Sequence, residues 1–314
     1  MGSIRLIANP SEIGAGTRGT SASIDAVLKL LETSLRIIRI RDENYMLEEP
    51  LIHEHAKRLV GILKVYERIS EEVFKTLKEG DTPIMLTADH SNAGGTIAGL
   101  KRYYSNERLG VIWIDAHADL HTPYTTPSGN VHGMPLAVSI SEDNFPNKLR
   151  EPAQETLELW ERLKNVGIAG AKIKGEDIVF IGLRDVEHEE KTLMEKHNML
   201  SIEINELRSK GIDEVVQRTL KRLAGCDRLY ISFDVDSLDP SVSKGTGTSV
   251  PDGLFQEEAE QLIEKLLQDE RVCCFEITEI NPSFDLEKPM EKVGTELLSN
   301  SINTLEKVLQ HNHY

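Results

Sequence analysis

The chain has 314 residues, 39% hydrophobic and 28% charged, enough for a large buried core in one big α/β domain or two smaller ones. Its 36 Lys and Arg against 52 Asp and Glu leave a formal charge of −16, which argues against nonspecific binding to nucleic acid or anionic lipid and is compatible with a small cationic ligand, solubility being the plainer cause. The three cysteines match no zinc spacing, no apolar stretch is long enough to span a bilayer, and no signal-peptide pattern is present, so a cytoplasmic protein is expected.

Ile4–Ala8 is an apolar run suited to a first strand, followed by a loop in which Gly14, Gly16 and Gly19 match G-x-G-x-x-G. The acidic candidates for ribose binding near Arg39–Asp42 follow an irregular strand, so a structural loop is the better reading, with Arg18 structural as well. Ser21–Glu32 has helical spacing, Leu35–Ile40 reads as a strand, and Glu48–Lys78 is helical, closed by Gly80. Pro83–Leu86 is a short buried strand running into Asp89-His90-Ser91. Asn92–Arg102 reads as a helix whose glycines allow close packing on the sheet. Val111–Ile114 is another strand, and a polar, proline-bearing stretch covers Ser141 to Pro152. Further strands fall at Ile178–Gly182, Arg228–Ser232 and Val272–Ile277. Helices fall at Lys191–Asn198, Ile212–Leu223, Gln256–Gln268 and Val293–Gln310. Strands alternate with helices and no linker or repeat interrupts them, which predicts one α/β domain over 1–314 around a mostly parallel sheet.

Ligands bind at the carboxyl ends of such strands, and the chain's polar clusters fall there. Asp115, His117 and Asp119 follow Val111–Ile114 at intervals of two, so they point the same way; Asp234 and Asp236 repeat that alternation. With His90 they make four carboxylates and two imidazoles. Two cations bridged by shared carboxylates use such a set naturally; a thiolate-free mix suits Mn²⁺ and also admits Fe, Co, Ni or Zn, with manganese preferred because carboxylates dominate. A two-metal centre lowers the pKa of a shared water and favours hydrolysis over redox chemistry.

His90 in Asp-His-Ser, the run Asp115-Ala-His117-Ala-Asp119, and Ser232-Phe-Asp-Val-Asp-Ser-Leu-Asp-Pro240 together resemble the three signatures of the ureohydrolase (arginase/agmatinase) superfamily. The resemblance implies a three-layer α-β-α fold with a mostly parallel sheet of about eight strands. It implies two Mn²⁺ per subunit, one held by His90, Asp115, Asp119 and Asp234, the other by Asp115, His117, Asp234 and Asp236. A metal-bridging hydroxide would attack a guanidinium carbon, His132 would shuttle the proton to the leaving amine, and Glu279 would hold the guanidinium as a fork. Homotrimers or homohexamers are implied too.

Thr122–Gly133 is similar to the arginase pattern T-P-x-T-T-x-S-G-N-x-H-G, in which Thr126, Ser128 and Asn130 would bind an α-carboxylate. Thr248 falls in the family's substrate loop. The implied reaction is L-arginine to L-ornithine plus urea; the alternatives are agmatinase, guanidino-acid hydrolase and formimidoylglutamase. His121 stands where arginases usually have Asn, Glu187 where they usually have Asp, and Thr87-Ala88 where Gly-Gly is common. The first two positions bear on substrate recognition. Arg184 and Asp185 read as an ion pair, with Asp185 behind the metal ligands; Asp239 reads as an Asx-turn before Pro240 and Cys273-Cys274 as core. His311 and His313 read as solvated chain-end residues.

Overall fold

The apolar runs assemble into one sheet of 8 strands, all neighbours parallel, in the order β2-β1-β3-β8-β7-β4-β5-β6. The computed structural model describes residues 3–285 and 289–311, which leaves His313 outside the described residues. The strands are β1 (Ile4–Asn9), β2 (Arg36–Arg39), β3 (Thr82–Thr87), β4 (Leu109–Ile114), β5 (Ile178–Ile181), β6 (Leu200–Ile202), β7 (Arg228–Asp234) and β8 (Val272–Thr278). Ten helices flank the sheet among the described residues. The first five are α1 (Thr20–Leu30), α2 (Leu59–Lys78), α3 (Ala93–Tyr103), α4 (Pro135–Ile140) and α5 (Gln154–Lys164). The others are α6 (His188–Lys196), α7 (Ile204–Lys210), α8 (Ile212–Arg222), α9 (Gln256–Leu267) and α10 (Met290–His311).

The two-residue period of a strand, with both faces buried, explains why the central runs are largely apolar. In β4, Ile112 and Ile114 enter a core with residues of α1, α7, α8, α9 and α10. Val111 and Trp113 enter the opposite core with residues of α2, α3, α4 and α6. The α-β-α layering follows directly. Edge strand β2, Arg-Ile-Ile-Arg, ends in charge and is mostly exposed, which discourages pairing with another chain.

Three expectations change. The helix expected over Glu48–Lys78 begins only at Leu59: a 3₁₀ turn spans Asn44–Glu48, Pro50 interrupts the following segment, and Arg58 takes a left-handed φ of 55° before the helix starts. The glycines of α3 pack against α2 rather than the sheet. A Cβ on Gly95 would sit 3.0 Å from Ile69 Cβ, and one on Gly99 would sit 2.7 Å from Val73 Cβ. Strand β6 and helices α4, α5 and α7 are additions to the elements read from sequence.

Asp239 forms its turn, accepting from Ser241 N at 2.9 Å, and Cys273 and Cys274 are buried. His311 ends α10, exposed. No helix among the described residues is long and apolar enough to cross a membrane.

Candidate metal centre and substrate cavity

Four adjacent strands, β3, β8, β7 and β4, deliver polar residues to one place at the carboxyl edge of the sheet. His90 follows β3, Asp115 follows β4, Asp234 closes β7, and Glu279 follows β8. The glycine loop after β1 backs this edge. Gly14 N donates to Asp89 Oδ2 at 2.9 Å, and a Cβ on Gly14 would sit 2.4 Å from Ser91 Oγ. Its glycines therefore serve close packing, and Arg18 turns away to Glu48 and the Leu47 carbonyl.

His90 Nδ1 lies 3.1 Å from an oxygen of each of Asp115, Asp119 and Asp234. One ring nitrogen cannot hydrogen-bond three carboxylates at once, and this one makes no hydrogen bond at all although fully buried. Asp115 Oδ2 is likewise buried without a hydrogen-bond partner. Three oxygens at equal distance from a lone imidazole nitrogen are instead the spacing of ligands around one cation: octahedral bonds of about 2.1 Å give edges of about 3.0 Å.

The other oxygen of Asp115, Oδ1, lies 3.5 Å from His117 Nδ1, and Asp236 Oδ2 lies 2.9 Å from the same nitrogen. Asp115 thus faces two imidazoles with its two oxygens, the disposition of a bridging carboxylate. Asp234 places Oδ2 in the first group, while its Oδ1 accepts the backbone N–H of Asp236 at 2.7 Å, just as Asp115 Oδ1 accepts that of His117 at 2.7 Å. Asp236 spends its own Oδ1 on Ala116 N. Two overlapping sets able to hold a metal result: His90, Asp115 and Asp119, then Asp115, His117 and Asp236. Buried donors of this kind, unmatched by protons, fit divalent cations well.

Electrostatics point the same way. Burial and the charge of Asp115 push Asp119 up to about 6, and burial together with the neighbouring aspartates raises Asp234 and Asp236. Burial works against charge on His90 and His117, but the surrounding carboxylates outweigh it and raise both. Concentrated negative charge in a dry site is relieved by cations. Asp119 and Glu279 also hold left-handed backbone, at φ 50° and 64°, strain of the kind that collects at functional sites.

Side chains not singled out from sequence fix this geometry. Ser232 Oγ pairs with His90 Nε2 at 2.8 Å, which aims Nδ1 at the carboxylates. Trp113 stacks on the His90 ring with centroids 4.0 Å apart. Ser232 stands inside the quoted motif, so a signal existed; the stacking of Trp113 had none.

A cavity of about 270 Å³ opens over the centre. His121, Thr126, Ser128, Asn130, His132, Asp185, Glu187, Glu190 and Thr248 all line it. Thr248 Oγ1 donates to Asp236 Oδ2 at 2.9 Å. His132 contributes its ring to the wall, with Nδ1 3.2 Å from Glu279 Oε1. Burial lowers that imidazole, but Glu279 outweighs it and lifts it to about 9. Glu279 itself sits behind His132 and off the cavity wall, where it also accepts from His90 N at 2.9 Å. Arg184 does not pair with Asp185 as expected. Its guanidinium donates to backbone carbonyls, including Asp236 O at 2.7 Å, and so pins the Asp234–Ser237 turn. Asp185 lies 3.8 Å from His117 Nε2.

The fold and this edge define a parallel α/β protein with a carboxylate–imidazole centre beneath a small polar cavity. The Arginase family model matches residues 5–302. Arginase of Bacillus subtilis (strain 168) is 33% identical over 305 residues, 94% of this chain and 96% of that one. Arginase of Staphylococcus aureus (strain MRSA252) is 35% identical over 241 residues, 74% of this chain and 73% of that one. The crystal structure of arginase from Bacillus cereus superposes with a TM-score of 0.81 at 27% identity, covering 96% of this chain and 98% of that one. The chain belongs to the arginase family, within the ureohydrolase superfamily, and is an arginase-type ureohydrolase.

Proposed function

We propose that the protein hydrolyses L-arginine to L-ornithine and urea at a two-manganese centre. The observation that carries the reading is Asp115, whose two oxygens face His90 and His117 beneath a cavity walled by Thr126, Ser128, Asn130 and His132. Its named relatives being arginases supports L-arginine over agmatine, guanidino acids and formimidoylglutamate.

His90, Asp115, Asp119 and Asp234 would hold one ion; Asp115, His117, Asp234 and Asp236 would hold the other. When bound, such ions supply Lewis acidity and a water of lowered pKa. The chain's residues do the rest. Thr126, Ser128 and Asn130 offer hydroxyl and amide groups to the α-carboxylate, while His121 and Glu187 face the α-amino end. Glu279, the carboxylate that the family resemblance assigns to the guanidinium, stands behind His132 and holds its ring, so it would act on the guanidinium from behind that imidazole, and Thr248 steadies Asp236. Water adds to the guanidinium carbon, the bond from that carbon to the alkyl nitrogen breaks, and the departing nitrogen takes a proton. His132, lifted to about 9 and therefore protonated near neutral pH, is placed to supply it.

One domain over residues 1–314, assembled as a homotrimer or homohexamer in the cytoplasm, completes the reading. Metal-loaded protein is to be assayed for urea from arginine, agmatine and guanidinobutyrate, and for formamide from formimidoylglutamate. Urea from arginine far above the rest is expected; release from none of the guanidino compounds would overturn the proposal. Replacing His132 by Asn should lower kcat on the order of 10²–10⁴-fold with little change in KM, the usual loss when a positioned acid is removed.

A further inference from the structure

On the cavity wall, away from the two sets described above, His121, Glu187 and Glu190 bring three ligand atoms together. His121 is 7% exposed, and its Nε2 is buried without a hydrogen-bond partner. That nitrogen points between two carboxylates, 3.3 Å from Glu187 Oε2 and 3.7 Å from Glu190 Oε2. A charge-assisted hydrogen bond would close to about 2.7–2.9 Å. Three ligands on a tetrahedral cation, with bonds of about 2.0–2.2 Å, would instead stand about 3.3–3.6 Å apart.

The atoms are held where they are. Nδ1 of His121 pairs with Thr125 Oγ1 at 3.3 Å, leaving Nε2 as the free face of the ring. Glu190 Oε1 accepts from Leu120 N at 3.0 Å and Oε2 from Glu187 N at 3.1 Å, so its carboxylate is locked to both segments that form the cluster. Glu187 caps α6 and is fixed in turn by the reciprocal bonds of its capping box. Such supporting bonds are how proteins orient metal ligands.

We propose that His121, Glu187 and Glu190 form a third divalent-cation site, with its remaining coordination position open to the substrate cavity. One imidazole and two carboxylates without thiolate suit Zn²⁺ or Co²⁺, and four-coordinate binding leaves one position for water or a group of the molecule in the cavity. An ion here would stand between His121 and Glu187 and the α-amino end of the molecule that they are proposed above to face, and its binding does not depend on which guanidino compound is hydrolysed.

The test is a count of bound ions. Full-length protein is saturated with Co²⁺, freed of excess and analysed for metal per chain and for visible absorption. His121→Asn and Glu187→Gln are treated alongside, with folding checked by circular dichroism. Wild type should carry one more Co²⁺ per chain than either variant, and the variants should lose the matching part of the absorption. Asp115→Asn, which disrupts the main centre, should retain the equivalent that His121→Asn loses. Equal cobalt content in wild type and both cavity-wall variants would overturn the proposal and leave His121 and Glu187 as an ion pair only.

Discussion

Asp115 carries the arrangement at residue scale, since its two oxygens serve different imidazoles. What keeps that geometry is a set of neutral partners. Ser232 leaves His90 no choice of nitrogen, because Oγ occupies Nε2. Ser232→Ala should therefore fold normally and weaken metal binding by about 10–100-fold, the range seen when a ligand's supporting hydrogen bond is removed; a metal titration followed by calorimetry reads the shift. Asp119 makes a second case. Its left-handed backbone is tolerated by Asn as readily as by Asp. Asp119→Asn should keep its fold and melting behaviour as apoprotein yet bind less metal, measured as ions per chain after desalting.

At the scale of elements, the site depends on how closely α2 and α3 lie, because α3 begins right after His90 and so sets where that ring stands. Gly99 permits the approach. An added Cβ would meet Ser70 O at 2.9 Å as well as Val73 Cβ, backbone and core atoms with little room to yield. Gly99→Ala should cost about 1–3 kcal/mol, the usual penalty for overpacking, outweighing alanine's better helix propensity. A lower midpoint in urea with an unchanged slope is the expected result. The same scale separates what is readable in sequence from what is not. β4 announces itself because both faces are buried, which leaves an unbroken apolar run, and β7 nearly so, with Leu229–Ile231 and Phe233 broken only by the buried Ser232 before Asp234. β6 is three residues at a sheet edge, half-exposed, too short to show a period. α5 is concealed by its charges, since only one face, with Trp160 and Leu163, enters the core.

For the molecule as a whole, a buried lysine gives pH dependence remote from the metal centre. Lys172 is 2% exposed, and its ammonium donates to the carbonyls of Lys164, Ile168 and Gly170. Burial lowers its pKa from 10.5 to about 8. Between those values the unfolded chain binds a proton that the folded chain has released, so this residue makes stability rise with pH across that window. Compared with Lys172→Met, wild type should gain on the order of 2 kcal/mol between pH 8 and 10.5, judged from about 1.4 kcal/mol per pKa unit with allowance for the carbonyl contacts. Urea unfolding of the two proteins at both ends of the window checks it; parallel curves would show that Lys172 keeps its proton throughout.

The strand ends, the metal-ligand candidates and the layering were determined by local sequence, because a buried parallel strand is apolar along most of its length and the candidate ligands follow at intervals of two. His90, Asp115, His117, Asp119, Asp234 and Asp236 could be picked out on that ground. Only the tertiary structure decided which oxygen of each carboxylate faces which imidazole, that Asp234 turns one oxygen back to its own chain, and that Glu279 stands behind His132. It alone brought His121 to Glu187 and Glu190, from a loop after β4 to the first turn of α6. Spacing along a chain predicts neighbours within one element, whereas contacts between loops depend on the order of strands in the sheet. Here β4 and β5 pair side by side, and their loops meet over the cavity.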